Sequence, residues 1–199
     1  MIWETNYNMK IKAKRYTPED FLKSSFYEQL VEHVFISEVL QEAWFRYGKT
    51  VEVLRSEIDS SGYDVLLECN GVSRHVQLKT TRPESKTAYQ KINIALQEKP
   101  SGCVIWLLRE EDESAHRVKL QYRFFGGAPG EQLPSLKDFK VAKHTKGDAK
   151  GIKKERPAMR KVPKGKFIQL AGIRDLVERL FGLSEHNVAG REKGDSLLF

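Results

Sequence analysis

The stretch DVLLECNGVSRHVQLKTT, residues 64–81, leaves fewer folding options than any other part of the chain. Runs rich in Val and Leu flank Asn70-Gly71, the dipeptide best suited to a two-residue turn whose central residues both take positive φ. A turn of that length fixes the pairing of the flanking strands: Cys69 with Val72, Leu67 with Arg74, Val65 with Val76 and Asp64 with Gln77. Side chains alternate along a strand, so Val65, Leu67, Val76 and Leu78 make one apolar face. Asp64, Gln77 and Lys79 share the other, with opposed Cβ atoms roughly 4.5–5.5 Å apart. The hairpin is therefore expected to gather an acid, an amide and an amine.

The remaining elements follow from periodicity and punctuation. Thr17 as a helix cap and Pro18 in the first turn start a long amphipathic helix. Apolar spacing at Phe26, Leu30 and Val34, then at Phe35, Val39 and Ala43, continues it, and Gly48 stops it. TVEVLRSEI (50–58) alternates as a strand, KTAYQKINIALQE (86–98) has helical spacing, and CVIWLLRE (103–110) is a short apolar run suited to a buried strand. HRVKLQYRFF (116–125) is a further strand, residues 126–165 a long loop region with short ordered pieces, KFIQL (166–170) a returning strand, and GIRDLVERLFG (172–182) a short helix. The order helix, strand, strand, strand, helix, strand implies an α/β fold with a mixed β-sheet flanked by helices. With 199 residues, one domain is expected, with a core over about 17–125 and a basic C-terminal extension over about 126–199.

Composition narrows the function. The longest apolar run is too short to span a bilayer and the first residues lack a signal-peptide pattern, so a cytoplasmic protein is expected. Cys69 and Cys103 have no metal-ligand spacing, the histidines form no spaced cluster, and no Gly-rich loop followed by Lys-Ser/Thr exists. A carboxylate and an amide oxygen on one face suit a hard cation, Mg²⁺ or Mn²⁺, and the Leu78 carbonyl offers a third oxygen. Lys79 beside them would position a water and offset charge on a phosphoryl transition state. The bland alternative is that all three are ordinary solvated side chains. His75 on the same face is more simply structural, and Asp59 is more simply a turn residue than a second-metal ligand.

The stretch SEIDSSGYDVLLECNGVSRHVQLKTT resembles the core of the PD-(D/E)xK, or restriction-endonuclease-like, nuclease superfamily. Its members place an acid at the start of one strand and an (acid or Gln)-x-Lys on the next. The resemblance, over about residues 21–108, implies that Asp64 is the central metal ligand, Gln77 the second ligand position and Lys79 the catalytic lysine. A glutamate from the preceding helix often joins such sites; Glu38 stands about where one is expected, with Glu42 one turn on as competitor. Tyr63 departs from the family's proline, and Gln77 from its commoner acid. Gln90 and Ile94 do not complete the Gln-x-x-x-Tyr pattern of the exonuclease-like branch.

Charge points to the same partner. Residues 137–166 hold 12 Lys/Arg against three acids, an excess of nine, so with an overall net charge of +7 the rest of the chain sums to −2. Lys143, Lys146, Lys150, Lys153, Lys154, Arg156, Arg160 and Lys161 are the expected contacts to DNA phosphates, giving salt-dependent affinity with little sequence readout. The reading that follows is a metal-dependent DNA endonuclease, with a catalytically inactive DNA-binding module on the same scaffold as the alternative. Many enzymes of this fold act as homodimers, and the amphipathic helices offer a surface for one.

Overall fold

The computed structural model describes residues 24–56, 61–144 and 151–185. The expected helix start at Thr17 and Pro18, together with Asp59, Lys146 and Lys150, lies outside them.

One helix, α1 (Ser24–Tyr47), carries Val31, Phe35, Val39 and Ala43 in steps of four, all buried. That stripe, rather than the Phe26–Leu30–Val34 string, faces inward, and Phe26 is exposed. The helix ends where the Lys49 N–H reaches the Ala43 carbonyl at 3.0 Å and the Gly48 N–H reaches Trp44 at 2.9 Å, so the last carbonyls are satisfied. The strands are β1 (Glu52–Arg55), β2 (Val65–Cys69), β3 (Val72–Thr81), β4 (Tyr89–Asn93), β5 (Cys103–Asp112), β6 (Arg117–Gly126), β7 (Val141–Lys143), β8 (Glu155–Pro163) and β9 (Ile168–Gln169). A second helix, α2 (Ile173–Phe181), follows.

Six strands form a mixed sheet in the order β1-β2-β3-β5-β6-β9, in which β3 and β5 run parallel and the other pairs antiparallel. The tight turn forms as expected, with Asn70 at φ 53° and Gly71 at φ 77°, and the pairs Cys69–Val72, Leu67–Arg74 and Val65–Val76 all hold.

Two expectations fail. Residues 86–98 are β4 followed by a short 3-10 helix (Ile94–Glu98), not an α-helix. Gln90 and Ile92 are buried while Tyr89, Lys91 and Asn93 are partly exposed, an alternation of period two within an apolar spacing that also matched a helix. The region 126–165, expected as a long loop region with short ordered pieces, contains β7, which is such a piece, and the nine-residue β8, which is not. β8 pairs with β4 on one side and β7 on the other in a second sheet, β4-β8-β7, and β9 adds to the main sheet. The described part of the basic C-terminal segment thus supplies β7 and β8 to the second sheet and β9 to the main sheet.

The main sheet is covered differently on its two faces. On one, α1 and α2 pack over Val65, Leu67, Val76, Ile105, Leu107 and Phe124. On the other, Val104, Trp106, Leu108 and Phe125 meet Ile92 and Val162 of the second sheet, with Leu133, Leu136 and Phe167. Each large apolar side chain buried in these layers stabilises the fold by about 1.5–3 kcal/mol. Both helices cover the same face, so the sheet is flanked by helices on one side and by strands on the other.

Candidate active site

At one end of the hairpin β3 outruns β2. Past Val76 no β2 residue remains to pair with it, which leaves the Leu78 N–H in need of an acceptor. Asp64 supplies it: its Oδ2 accepts that N–H at 2.6 Å. The Asp64 N–H itself donates to the Val76 carbonyl at 2.9 Å, although Val76 already faces Val65. Two residues therefore oppose one, as at a bulge, and the direct Asp64–Gln77 pairing expected from the turn does not form.

The slip has a chemical consequence. Asp64 lines a cleft of about 540 Å³ together with Glu28 and Glu32 of α1, Arg55, Ser56, Leu78, Lys79 and Thr80. The Leu78 carbonyl leaves the strand on the same side as its N–H, so it too opens beside Asp64. Glu32 accepts from Arg55 Nε at 2.7 Å. Gln77 instead lines a second cleft, of about 690 Å³, between the two sheets, and among the described residues Lys79 alone lines both. The structure thus brings Asp64 and Lys79 together, and Gln77 and Lys79 together, but places the acid and the amide in different clefts.

The helix glutamates differ from expectation. Glu38 accepts a hydrogen bond from the Tyr122 hydroxyl and lines a third cleft, beside His33, Asp112 and His116, which Asp64 does not line. Burial raises its pKa above the ordinary carboxylate value near 4.5, and the Tyr122 bond pulls in the opposite direction. Glu42 is paired with Arg46. The carboxylates in Asp64's cleft are Glu28 and Glu32, one turn apart, which sequence reasoning did not single out. The signal for them was the phase of α1: once Val31 and Phe35 point inward, Glu28 and Glu32 flank the buried stripe at its N-terminal end.

The donor set in this cleft is all oxygen, which fits a hard cation. Among the described residues no three His, Cys, Asp or Glu side chains are grouped to hold a metal. A cation would therefore take one or two carboxylates and complete its shell with water and phosphate, the habit of Mg²⁺. Cys69 and Cys103 are buried free thiols, and burial raises the pKa of each. The His75 ring lies edge-on to Tyr63 at 4.8 Å, with Nδ1 2.8 Å from the Pro100 carbonyl, a structural role.

The basic residues form a surface of the second sheet. Lys143 on β7, Lys153 and Lys154 just before β8, and Arg156 on β8 are exposed, while Arg160 and Lys161 are partly so. Arg160 Nη1 donates to the Pro157 carbonyl at 2.6 Å, and Lys161 Nζ sits 4.9 Å from the Tyr89 ring centroid. Arg156 lines the inter-sheet cleft, linking this surface to Gln77 and Lys79. Among the described residues no helix is long and apolar enough to cross a membrane. Comparison of the chain with protein-family models, with curated proteins and with solved structures finds no match.

Proposed function

We propose that the chain is a metal-dependent DNA endonuclease of the restriction-endonuclease-like kind, hydrolysing phosphodiester bonds at the cleft lined by Asp64. The observation that carries this reading is the shared cleft of Asp64, Lys79, the Leu78 carbonyl edge and the α1 carboxylates Glu28 and Glu32, with a basic sheet next to it. Asp64, fixed by the Leu78 N–H, and Glu32, fixed by Arg55, are the residues to hold Mg²⁺ or Mn²⁺. When bound, such a cation acidifies a water and draws charge from a phosphoryl oxygen. Lys79 would orient the attacking water and stabilise negative charge as the phosphorus–oxygen bond breaks. Lys153, Lys154 and Arg156 would hold the phosphate backbone. Leu40, Trp44 and Phe45 on the outer side of α1 are exposed and support a homodimer as part of this reading.

A specific observation favours the second reading, a DNA-binding module without cleavage. Gln77, the family's second ligand position, stands in the other cleft from Asp64. Incubating the protein with supercoiled plasmid and Mg²⁺ or Mn²⁺ decides between them. Nicking or linearisation that EDTA stops supports the nuclease; salt-sensitive gel shift without any cut supports the binding module.

A further inference from the structure

The floor of the inter-sheet cleft holds two buried amides with unspent hydrogen-bonding capacity. Gln77 is 3% exposed and Gln90 9%, and Gln77 Oε1 and Gln90 Nε2 have no hydrogen-bond partner. A buried polar atom left without a partner destabilises the fold. The surrounding positions show what a purely structural floor would use: Val104 is paired with Gln77, Val162 with Gln90, and Ile92 lies two residues along β4, all fully buried. Amides among aliphatic neighbours, lining a cleft of about 690 Å³, call for a polar guest.

The rim defines the guest's other end. Lys86, Lys91 and Arg156 line the same cleft, as does Tyr89. Among the described residues no acidic one lines it. An acceptor and a donor at the bottom complement the donor–acceptor edge of a nucleobase, and cations at the mouth complement its phosphate. We infer that the cleft between the two sheets binds a single nucleotide, base inward against Gln77 and Gln90 and phosphate outward on Lys86, Lys91 and Arg156. This rests on the reading of the chain as a protein that acts on nucleic acid, and it gives that reading a substrate preference: an unstacked nucleotide, from a single strand, a strand end or a base turned out of a duplex. Rotation of either amide exchanges donor for acceptor, so the pair reads the presence of a base edge and leaves its identity to the rest of the pocket.

The test is read in EDTA, so that it does not depend on cleavage. Fluorescence anisotropy compares a single-stranded hexadeoxynucleotide with the same sugar-phosphate strand lacking bases. The native protein is expected to bind the base-bearing strand at least about tenfold more tightly, the scale of one paired base edge. Gln90→Leu should abolish that preference while keeping affinity for the baseless strand. It should also melt no lower than the native protein, because it removes an unsatisfied polar atom. Lys91→Gln with Arg156→Gln should weaken both strands and keep the preference. Competition by millimolar mononucleotides assigns the cleft to free nucleotides, and its absence assigns it to a nucleotide within a strand. Equal binding of the two strands by the native protein, or an unchanged preference in a folded Gln90→Leu, overturns the inference; the first outcome means the cleft holds only water. A protein that never cuts DNA yet shows the preference loses the nuclease reading alone, and one that cuts without it loses this inference alone.

Discussion

Two clefts flank β3, and they are built from opposite materials. On the helical side, carboxylates are held by donors: Asp64 by the Leu78 N–H, Glu32 by the Arg55 guanidinium. On the other side, neutral amides are buried with atoms left unpaired, and the charges at the mouth are positive. Lys79 lines both. On the readings proposed above, the first arrangement would hold a cation and a reacting phosphate, and the second would recognise what is attached to that phosphate. A one-residue slip separates them, because Asp64 and Val65 both face Val76 and the acid is turned away from the amide.

The sharpest way to break this division is Asp64→Asn. The asparagine carbonyl oxygen can still accept the Leu78 N–H, so the bulge and the fold are kept while the charge is lost. Plasmid cleavage should fall by about 10²-fold or more, the scale of losing one key electrostatic partner, with oligonucleotide affinity in EDTA held within about twofold. Native-level cutting by this variant would remove Asp64 from the chemistry.

Gly62→Ala probes what holds the two clefts in register. Gly62 has φ 76°, and a Cβ there would stand 2.9 Å from the Leu96 N and 3.2 Å from the Asn93 Cβ. Backbone strain and a contact with a backbone atom together should cost about 1–3 kcal/mol. For a chain of this size that lowers the melting temperature by about 2–4 °C per kcal/mol. Because Asn93 ends β4 and Leu96 lies in the 3-10 helix that follows it, the turn that delivers Asp64 is braced by the layer that holds Gln90. Cleavage and nucleotide binding should therefore weaken together in this variant, whereas Asp64→Asn and Gln90→Leu each touch one.

How much of this was legible in the sequence depends on the range of the interaction that fixes each part. Asn70-Gly71 sets its turn locally, and three of the four expected cross-strand pairs followed from it. The fourth, Asp64 with Gln77, failed because β2 stops at Val65 and the chain bends there, which the turn at the far end does not control. Residues 86–98 misled because Tyr89, Ile92 and Leu96 lie three and four apart, as on a helix face, while the burial of Gln90 beside Ile92 depends on pairing with β8 some seventy residues later. β8 itself buries only Val162 fully and contains Pro157, so nothing in its own pattern marks a strand. The family resemblance points to Glu38 on the preceding helix. Which carboxylate meets Asp64 depends on how α1 crosses the sheet, and that is settled by the packing of Val31, Phe35 and Val39.

The basic surface allows a finer comparison between grip and chemistry. Lys153→Gln with Lys154→Gln removes two exposed charges just before β8, outside both clefts. If both contact phosphates, the slope of log affinity against log salt should become shallower by about 0.9 per residue. The turnover of bound plasmid should not change. An unaltered slope would move the DNA path off this edge of the second sheet.

The smallest expected effect separates the glutamate expected in the site from the one found there. Glu38 is part-buried beneath Tyr122, and burial raises its pKa. A raised value means the folded chain holds the proton more tightly than the unfolded chain does. The stability this contributes is complete below the unfolded value near 4.5 and is lost as pH rises through the folded-state value. Glu38→Gln fixes the side chain in a neutral form that can still accept from the Tyr122 hydroxyl. Native and variant should therefore melt together at pH 4, and the variant should be more stable at pH 8, by less than about 1 kcal/mol because solvent still screens the carboxylate. Its plasmid cleavage should match the native protein, while Glu32→Gln, in Asp64's cleft, should lower cleavage. A Glu38→Gln protein that melts normally but no longer cuts would return Glu38 to the reaction and require α1 to shift along the sheet when DNA binds.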